Sequence, residues 1–268
     1  MNKVLAKRSA LFIVSALALG SAFVGVAFFF VTTRTGQGID QSAFNGATLG
    51  QRTVAPVTLS LLDAVPIAGI AIALVVAVIV VLFRRNFRVL VVGVVAGGLA
   101  NILTQVVKNL LLVRPDLGVY GYAENSLPSG HTTLAASAAL VVFLVSSPRT
   151  RPLVGVIGAI FTTAVGVSTL ANQWHRPSDV VAALLLVSFF GCLSGLVLLG
   201  SRFSVPEPRR DLWSRALLLL TLPCAGLAVA TILVAGLAPV AYIGAAAGIT
   251  ACVLLLTAAA NHTFRVIL

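Results

Sequence analysis

Two of the three histidines in this 268-residue chain lie in short polar motifs, Pro128-Ser129-Gly130-His131 and His175-Arg176-Pro177-Ser178-Asp179. A histidine beside a bound anion can protonate a leaving oxygen. A second histidine whose Nδ1 proton is held by a carboxylate offers Nε2 as a nucleophile. Lys108 and the Arg114-Pro115 pair precede both motifs and would supply the cations that an anionic ligand needs. Together these residue types have the chemistry of a phosphoryl-transfer site.

The spacing can be read residue by residue. A glycine that opens a helix leaves backbone N–H groups free to point at an anion and lets the backbone approach it without a Cβ clash. Gly130 fits that role, with Ser129 adding a hydroxyl and His131 standing next to the anion as a general acid. Asp179 follows His175 by four positions, so in a helix begun by Pro177 the two share a face. Plainer readings exist for each piece alone. Lys108 and Arg114 can be basic side chains snorkelling from a helix end, Ser129 can be an ordinary N-cap, and Asp179 can be an acid favoured by a helix dipole. The dipole accounts for Asp179 but leaves His175 unexplained.

The elements that must position these residues are membrane helices. The chain is 59% hydrophobic and 9% charged, with a mean hydropathy of +1.08, whereas soluble domains carry about 25% charged residues. Eight runs approach the roughly 20 apolar residues a span requires: 10–33, 57–83, 89–113, 132–147, 153–174, 179–200, 216–236 and 239–260. Their alternation puts Arg34, Arg52, Lys108, Arg114 and Arg176 on one side and the remaining 13 of the 18 Lys and Arg on the other. The positive-inside rule then predicts cytoplasmic termini and both histidine motifs on the extracytoplasmic face. This asymmetry also accounts for the net charge of +11 without nucleic acid, since no basic surface interleaved with aromatics is present. Lys3, Lys7 and Arg8 precede an apolar run that continues through Phe30, longer than a signal core, so the first run is read as an uncleaved span. Residues 34–56 read as a polar outer loop with no chemistry of its own that could order over a lipid headgroup. Residues 201–215 read as a basic cytoplasmic loop in which Trp213 anchors at the interface. Cys192, Cys224 and Cys252 lie inside apolar runs with no disulfide or metal spacing.

Taken in order, Lys108 with Arg114-Pro115, then Pro-Ser-Gly-His at 128–131, then Ser168, His175 and Asp179 make the chain resemble the type 2 phosphatidic acid phosphatase family. These are integral membrane lipid phosphatases that share their site with vanadium haloperoxidases. The resemblance covers roughly residues 89–200. It implies that Lys108, Arg114, Ser129 and the Gly130 amide bind phosphate, that His131 is the general acid, that His175 forms a phosphohistidine, and that Asp179 orients it. It implies no metal or other cofactor, and no carboxylate or His/Cys cluster has ligand spacing. Two departures stand out. Five residues rather than six separate Lys108 from Arg114, which changes the angle at which Lys108 enters the site. Thr169 occupies the position where the family has an arginine. Arg176, seven residues on and near two helical turns away, is the candidate to replace that charge. Asp116 and Glu124 read as solvated loop acids, and Asp63 as an intramembrane acid that either pairs with a basic site residue or faces water.

The expected fold is an all-α membrane bundle of about eight spans with a six-helix phosphatase-like core. One membrane domain covers 1–268, with the motif-bearing core at 89–200 and two additional C-terminal spans at 216–260. The expected function is hydrolysis of a lipid phosphate or pyrophosphate at the extracytoplasmic face of the cytoplasmic membrane. The substrate would be of polyprenyl pyrophosphate or phosphatidic-acid type, with its tail left in the bilayer. The alternatives are a lipid phosphotransferase using the same histidine and a non-catalytic lipid-binding descendant. The sequence leaves the lipid and the oligomeric state open. Gly191 and Gly195 form one small-residue pair of the kind that packs helices closely.

Overall fold

Backbone N–H and C=O groups cannot stay unpaired inside a bilayer, so apolar runs of this length fold as helices. The computed structural model describes residues 2–48, 55–121, 124–202, 212–233 and 238–266. Its helices are α1 (Asn2–Thr32), α2 (Arg34–Gly46), α3 (Ala55–Arg84), α4 (Phe87–Val106), α5 (Gly130–Val145), α6 (Arg151–Ala171), α7 (Pro177–Arg202), α8 (Leu212–Leu233) and α9 (Ala238–Thr263). A π-helical turn, Val107–Leu111, continues α4, and a 3-10 turn, Phe264–Val266, ends α9. Among the described residues there is no strand. Each of the eight expected runs coincides with a helix. Six are long and apolar enough to cross a membrane, and the segments Ala71–Arg84 and Gly130–Val145 are apolar but shorter. The chain is an all-α integral membrane protein. The Asp63 side chain, Arg209 and Arg210 lie outside the described residues.

Helix α7 is the centre of the bundle. It packs against α1, α4, α5 and α9, and 61% of its apolar window is buried, against 11% for the peripheral α8. Surrounded on all sides, it is apolar all round, as a central helix should be. Close approach needs small residues. A Cβ on Gly195 would lie 2.1 Å from the Phe12 ring of α1, and one on Gly191 would lie 3.3 Å from Leu140 of α5. That glycine pair therefore seats neighbouring helices of the same chain. Helix α5 has 16 residues, a length of about 24 Å, which is shorter than a bilayer core of about 30 Å. At its C-terminal end, Arg84 donates to the Val145 carbonyl at 2.9 Å. Arg151, 3% exposed, donates to the carbonyls of Phe143, Ser146 and Phe264. The two arginines satisfy carbonyls that a helix end leaves without intrahelical partners.

Helix α2 departs from the expected polar loop. It is short and amphipathic, and it lies across the end of the bundle that carries the histidine motifs. Its buried face is Gly36, Gln37, Asp40, Gln41, Ala43 and Gly46, a helical period of small and polar residues that a search for apolar periodicity passes over. Thr33 caps it by accepting from the Gly36 amide at 3.0 Å. Two glycines set its depth. A Cβ on Gly36 would lie 2.1 Å from the Phe29 carbonyl oxygen, and one on Gly46 would lie 1.8 Å from that of Ala238. Gln37, fully buried, donates from Nε2 to the carbonyls of Val31 and Pro115, both at 2.8 Å, and so ties α2 to the Arg114-Pro115 segment.

Gly36→Ala should therefore destabilise the protein by about 1–3 kcal/mol through overpacking. Gly38→Ala, where a Cβ meets nothing within 4 Å, should be neutral or stabilising by up to about 1 kcal/mol from helix propensity. Thermal unfolding of both variants in detergent checks this; equal losses would show that the α1–α2 contact is not what sets the depth of α2.

Candidate active site

The site begins where α6 stops. Gln173 takes a left-handed backbone conformation, φ +57°. The Gln173 amide donates to the Leu170 carbonyl at 2.9 Å and the Trp174 amide to that of Thr169 at 3.0 Å. This pair of bonds is a Schellman termination of the helix. The His175 amide also reaches the Thr169 carbonyl, at 3.2 Å. The chain is thus turned sharply after α6, and His175 is delivered to the start of α7 with its backbone fixed. Gln173 is held in turn by donating to the Phe44 carbonyl of α2 at 2.9 Å.

Asp179 is the hub of the first turn of α7. Its Oδ2 lies 3.2 Å from His175 Nδ1 and accepts from the Arg176 amide at 2.9 Å and from the Ser126 hydroxyl. The bond back to Arg176 is the acidic half of a capping box, and the same oxygen lies against His175 Nδ1. With the proton on Nδ1, the ring donates to Asp179 and turns Nε2 outward. His175 is 6% exposed.

The second motif is joined directly to the third. The Ser129 amide donates to the Asp179 carbonyl at 2.9 Å, so the start of α5 rests on the start of α7. Ser129 is the N-cap of α5, and its hydroxyl accepts from the Thr132 amide at 3.3 Å. Gly130 opens the helix, with Gln105 Nε2 3.6 Å from where a Cβ would sit. His131 is exposed. Its ring centroid is 6.1 Å from that of His175 and 5.3 Å from that of Trp174. A buried pair of hydroxyls, Thr104 and Thr133 at 3.0 Å, fixes α4 against α5.

The cations arrive from three directions. Lys108 lies in the π-helical turn at the end of α4, where the Leu112 amide reaches back five residues to the Val107 carbonyl at 3.0 Å. The widened turn sets the direction in which the chain leaves α4 towards Arg114. The Lys108 carbonyl accepts from Asn125 Nδ2 at 3.2 Å, which ties the lysine to the loop that supplies Ser126. Arg114 is buried, and its guanidinium lies 4.0 Å from Asp40 of α2. Arg176 is placed differently from the expectation that it replaces the missing phosphate-binding arginine. Its guanidinium donates to Gln41 Oε1 at 3.2 Å, to the Ser126 hydroxyl at 3.0 Å and to the Glu124 carbonyl at 3.4 Å, and it stacks over Phe44 at 5.5 Å. Through these contacts the side chain braces α2 and the Ser126 loop. Thr169 is buried, its hydroxyl turned back onto the Gly166 carbonyl at 2.8 Å, and it adds no charge. Asp116 accepts from the Gly118 amide at 2.9 Å in a local turn, and Glu124 is exposed.

Four contributors escaped the sequence reading: Gln37, Asp40, Gln41 and Ser126. Asp40 is the most consequential. It is 1% exposed, and it accepts from the Ser178 amide at 3.0 Å and from the Ser178 hydroxyl. A carboxylate from α2 thereby satisfies an N–H that the start of α7 leaves without an intrahelical acceptor. Burial, with the Asp179 carboxylate adding to it, pushes the Asp40 carboxyl up to about 7, against the pull of its Ser178 bonds and the Arg176 charge. The signal available in sequence was the 3–4 residue spacing of Gln37, Asp40 and Gln41 between glycines, which marks a polar helix face rather than a loop.

An all-α membrane protein with two facing histidines, one of them held by a buried carboxylate, is the class that fold and site define. Residues 88–204, which span α4 to α7, match the family model of the PAP2 superfamily, in agreement with the resemblance carried by the motifs. No curated protein and no solved structure shows a significant match to the chain.

Asp40 also gives the fold a pH dependence with a definite sign. The folded protein keeps the Asp40 proton at pH values where the unfolded chain has lost it. That stabilisation is present in full below the ordinary value of 3.8 and is lost as pH rises to about 7. The melting temperature should therefore fall between pH 5 and pH 8 with a component that Asp40→Asn removes. Parallel melting curves for the two proteins across this range would contradict the assignment.

Proposed function

We propose that the protein is a lipid phosphatase acting through a phosphohistidine on His175. The observation that carries this reading is the His175 Nδ1–Asp179 contact with the His131 ring facing it across the site. In the first step His175 Nε2 attacks phosphorus, the bond to the leaving oxygen breaks, and His131 gives that oxygen its proton. In the second, His131 takes a proton from water as the water oxygen attacks the phosphohistidine, and phosphate departs from Nε2. Asp179 keeps the tautomer and stabilises the charge that develops on the ring. Lys108, Arg114, the Gly130 amide and the Ser129 hydroxyl are the phosphate ligands, and much of the acceleration comes from these preset charges and dipoles. Arg176 serves by positioning, through Ser126 and α2.

The charge asymmetry of the loops favours an extracytoplasmic site in the cytoplasmic membrane, with both termini on the opposite side. The short α5 suits a headgroup drawn slightly below the surface while its tail remains in lipid. The substrate is a lipid monophosphate or pyrophosphate, and the chemistry needs no metal because every charge it requires comes from a side chain.

Purified protein in detergent with excess EDTA should release phosphate from at least one of polyprenyl pyrophosphate, phosphatidic acid, phosphatidylglycerol phosphate and diacylglycerol pyrophosphate. His175→Ala should lower that rate by at least about 10³-fold, the scale of losing a covalent nucleophile. Release that survives His175→Ala, or that EDTA abolishes, would overturn the mechanism.

A further inference from the structure

Two residues at the site are opposed in charge and lie at ion-pair distance without being locked together. The Arg114 guanidinium is 4.0 Å from Asp40 Oδ2, longer than the 2.7–2.9 Å of a charge-assisted hydrogen bond. Asp40 already has firm partners in the amide and hydroxyl of Ser178. A carboxylate so placed stands where it competes with any anion for the same guanidinium. Resting on the phosphatase reading above, we propose that Asp40 is a positioning residue that holds Arg114 in the absence of substrate and yields it to the phosphate, so that anion binding at this site is coupled to uptake of a proton by Asp40.

The surroundings of Asp40 favour that exchange. Its charged neighbours are Arg114 from the segment after α4, and Arg176 and Asp179 from the start of α7. Gln37 and Gln41, which flank it on α2, are neutral. Behind it, Phe30 of α1 and Ala238, Ala241, Gly244 and Ala245 of α9 share the wall of one cavity with it and bring no titratable group. A phosphate placed on Arg114 adds negative charge to a pocket that already holds the Asp179 carboxylate, and like charge favours the protonated form of a buried acid. Burial has already brought Asp40 close to neutral pH, so the proton it needs is readily taken from solvent. Once protonated, Asp40 keeps its contacts with Ser178 and leaves the first turn of α7 in place.

Sulfate is the probe of choice, because its charge is constant across the range where phosphate itself titrates. Its dissociation constant would be measured on the full-length protein in detergent at pH 6 and pH 8, for the unaltered chain and for Asp40→Asn. At pH 6 the two should bind alike. At pH 8 the variant should bind roughly tenfold more tightly, well under the full attraction of a charge pair at this distance. The KM for the best lipid phosphate should fall in parallel at pH 8 only, a pH-specific split that a merely structural role would not produce. Equal or weaker sulfate binding by the variant at pH 8 would overturn the proposal. If Asp40→Asn does not melt cooperatively, Asp40→Ser takes its place. If neither folds, proton uptake is measured on sulfate binding to the unaltered protein at pH 7.5, in two buffers of different ionisation enthalpy. A substantial fraction of a proton is expected, and none would overturn the proposal. Sulfate binding is read without turnover, so this pattern in a protein that hydrolyses no lipid phosphate would sink the phosphatase reading and leave the Asp40–Arg114 exchange standing.

Discussion

The first turn of α7 is buried, and its unpaired amides have to find acceptors inside the protein. Most of the site is organised by how they do so. Asp179 turns back to the Arg176 amide, and Asp40 comes from a separate helix to meet Ser178. Each carboxylate then has a second task. Asp179 holds His175 Nδ1, and Asp40 faces Arg114. Buried backbone donors left unpaired are costly, so the elements that supply these acceptors cannot drift without destabilising the bundle. The geometry of the two histidine motifs is in this sense a consequence of capping one helix.

The same requirement explains why so much of the end of the bundle is tied together. Ser129 donates its amide to the Asp179 carbonyl, and Ser126 places its hydroxyl on the Asp179 carboxylate. Arg176 connects Ser126 to Gln41 and stacks on Phe44, and Gln173 holds the Phe44 carbonyl. Helix α2 is thus fastened to the His175 segment from two sides and to Pro115 through Gln37. A short helix without a motif residue sets the positions of the residues in the histidine motifs. Its own depth is fixed by bare glycines against the backbones of α1 and α9. The C-terminal pair α8–α9, outside the matched segment 88–204, thereby acquires a part in the site: α9 supports α2 at Gly46.

Much of this was legible in the amino-acid order. The helices were visible because apolar runs of span length admit few other structures. The motif residues were visible because histidine and glycine in polar clusters between such runs have few other uses. The four-residue spacing pointed to a His175–Asp179 pair, and the capping turn before α7, rather than a helical repeat, is what brings the two together. Arg176 shows where that reasoning ended. Its distance along the chain from Thr169 suggested a replacement charge, but the Schellman turn at Gln173 reverses the chain between the two positions, so helical periodicity does not carry across. Lys108 is similar: it lies in a π-helical turn, so ideal α-helical rotation does not give its direction.

Local chemistry and hydrophobic length by themselves determined an all-α membrane protein and the two histidine motifs with their neighbouring cations and carboxylate, since both depend on residues close together in sequence. The part played by α2 was decided only by the tertiary structure. Asp40 and Ser178 are 138 positions apart, and although the spacing of Gln37, Asp40 and Gln41 allows a polar helix face, it does not say what buries that face. A polar face is stable in a protein interior only when acceptors and donors elsewhere match it. Those partners, the α7 amides, the Pro115 carbonyl and the Arg176 guanidinium, come together only when the bundle has closed.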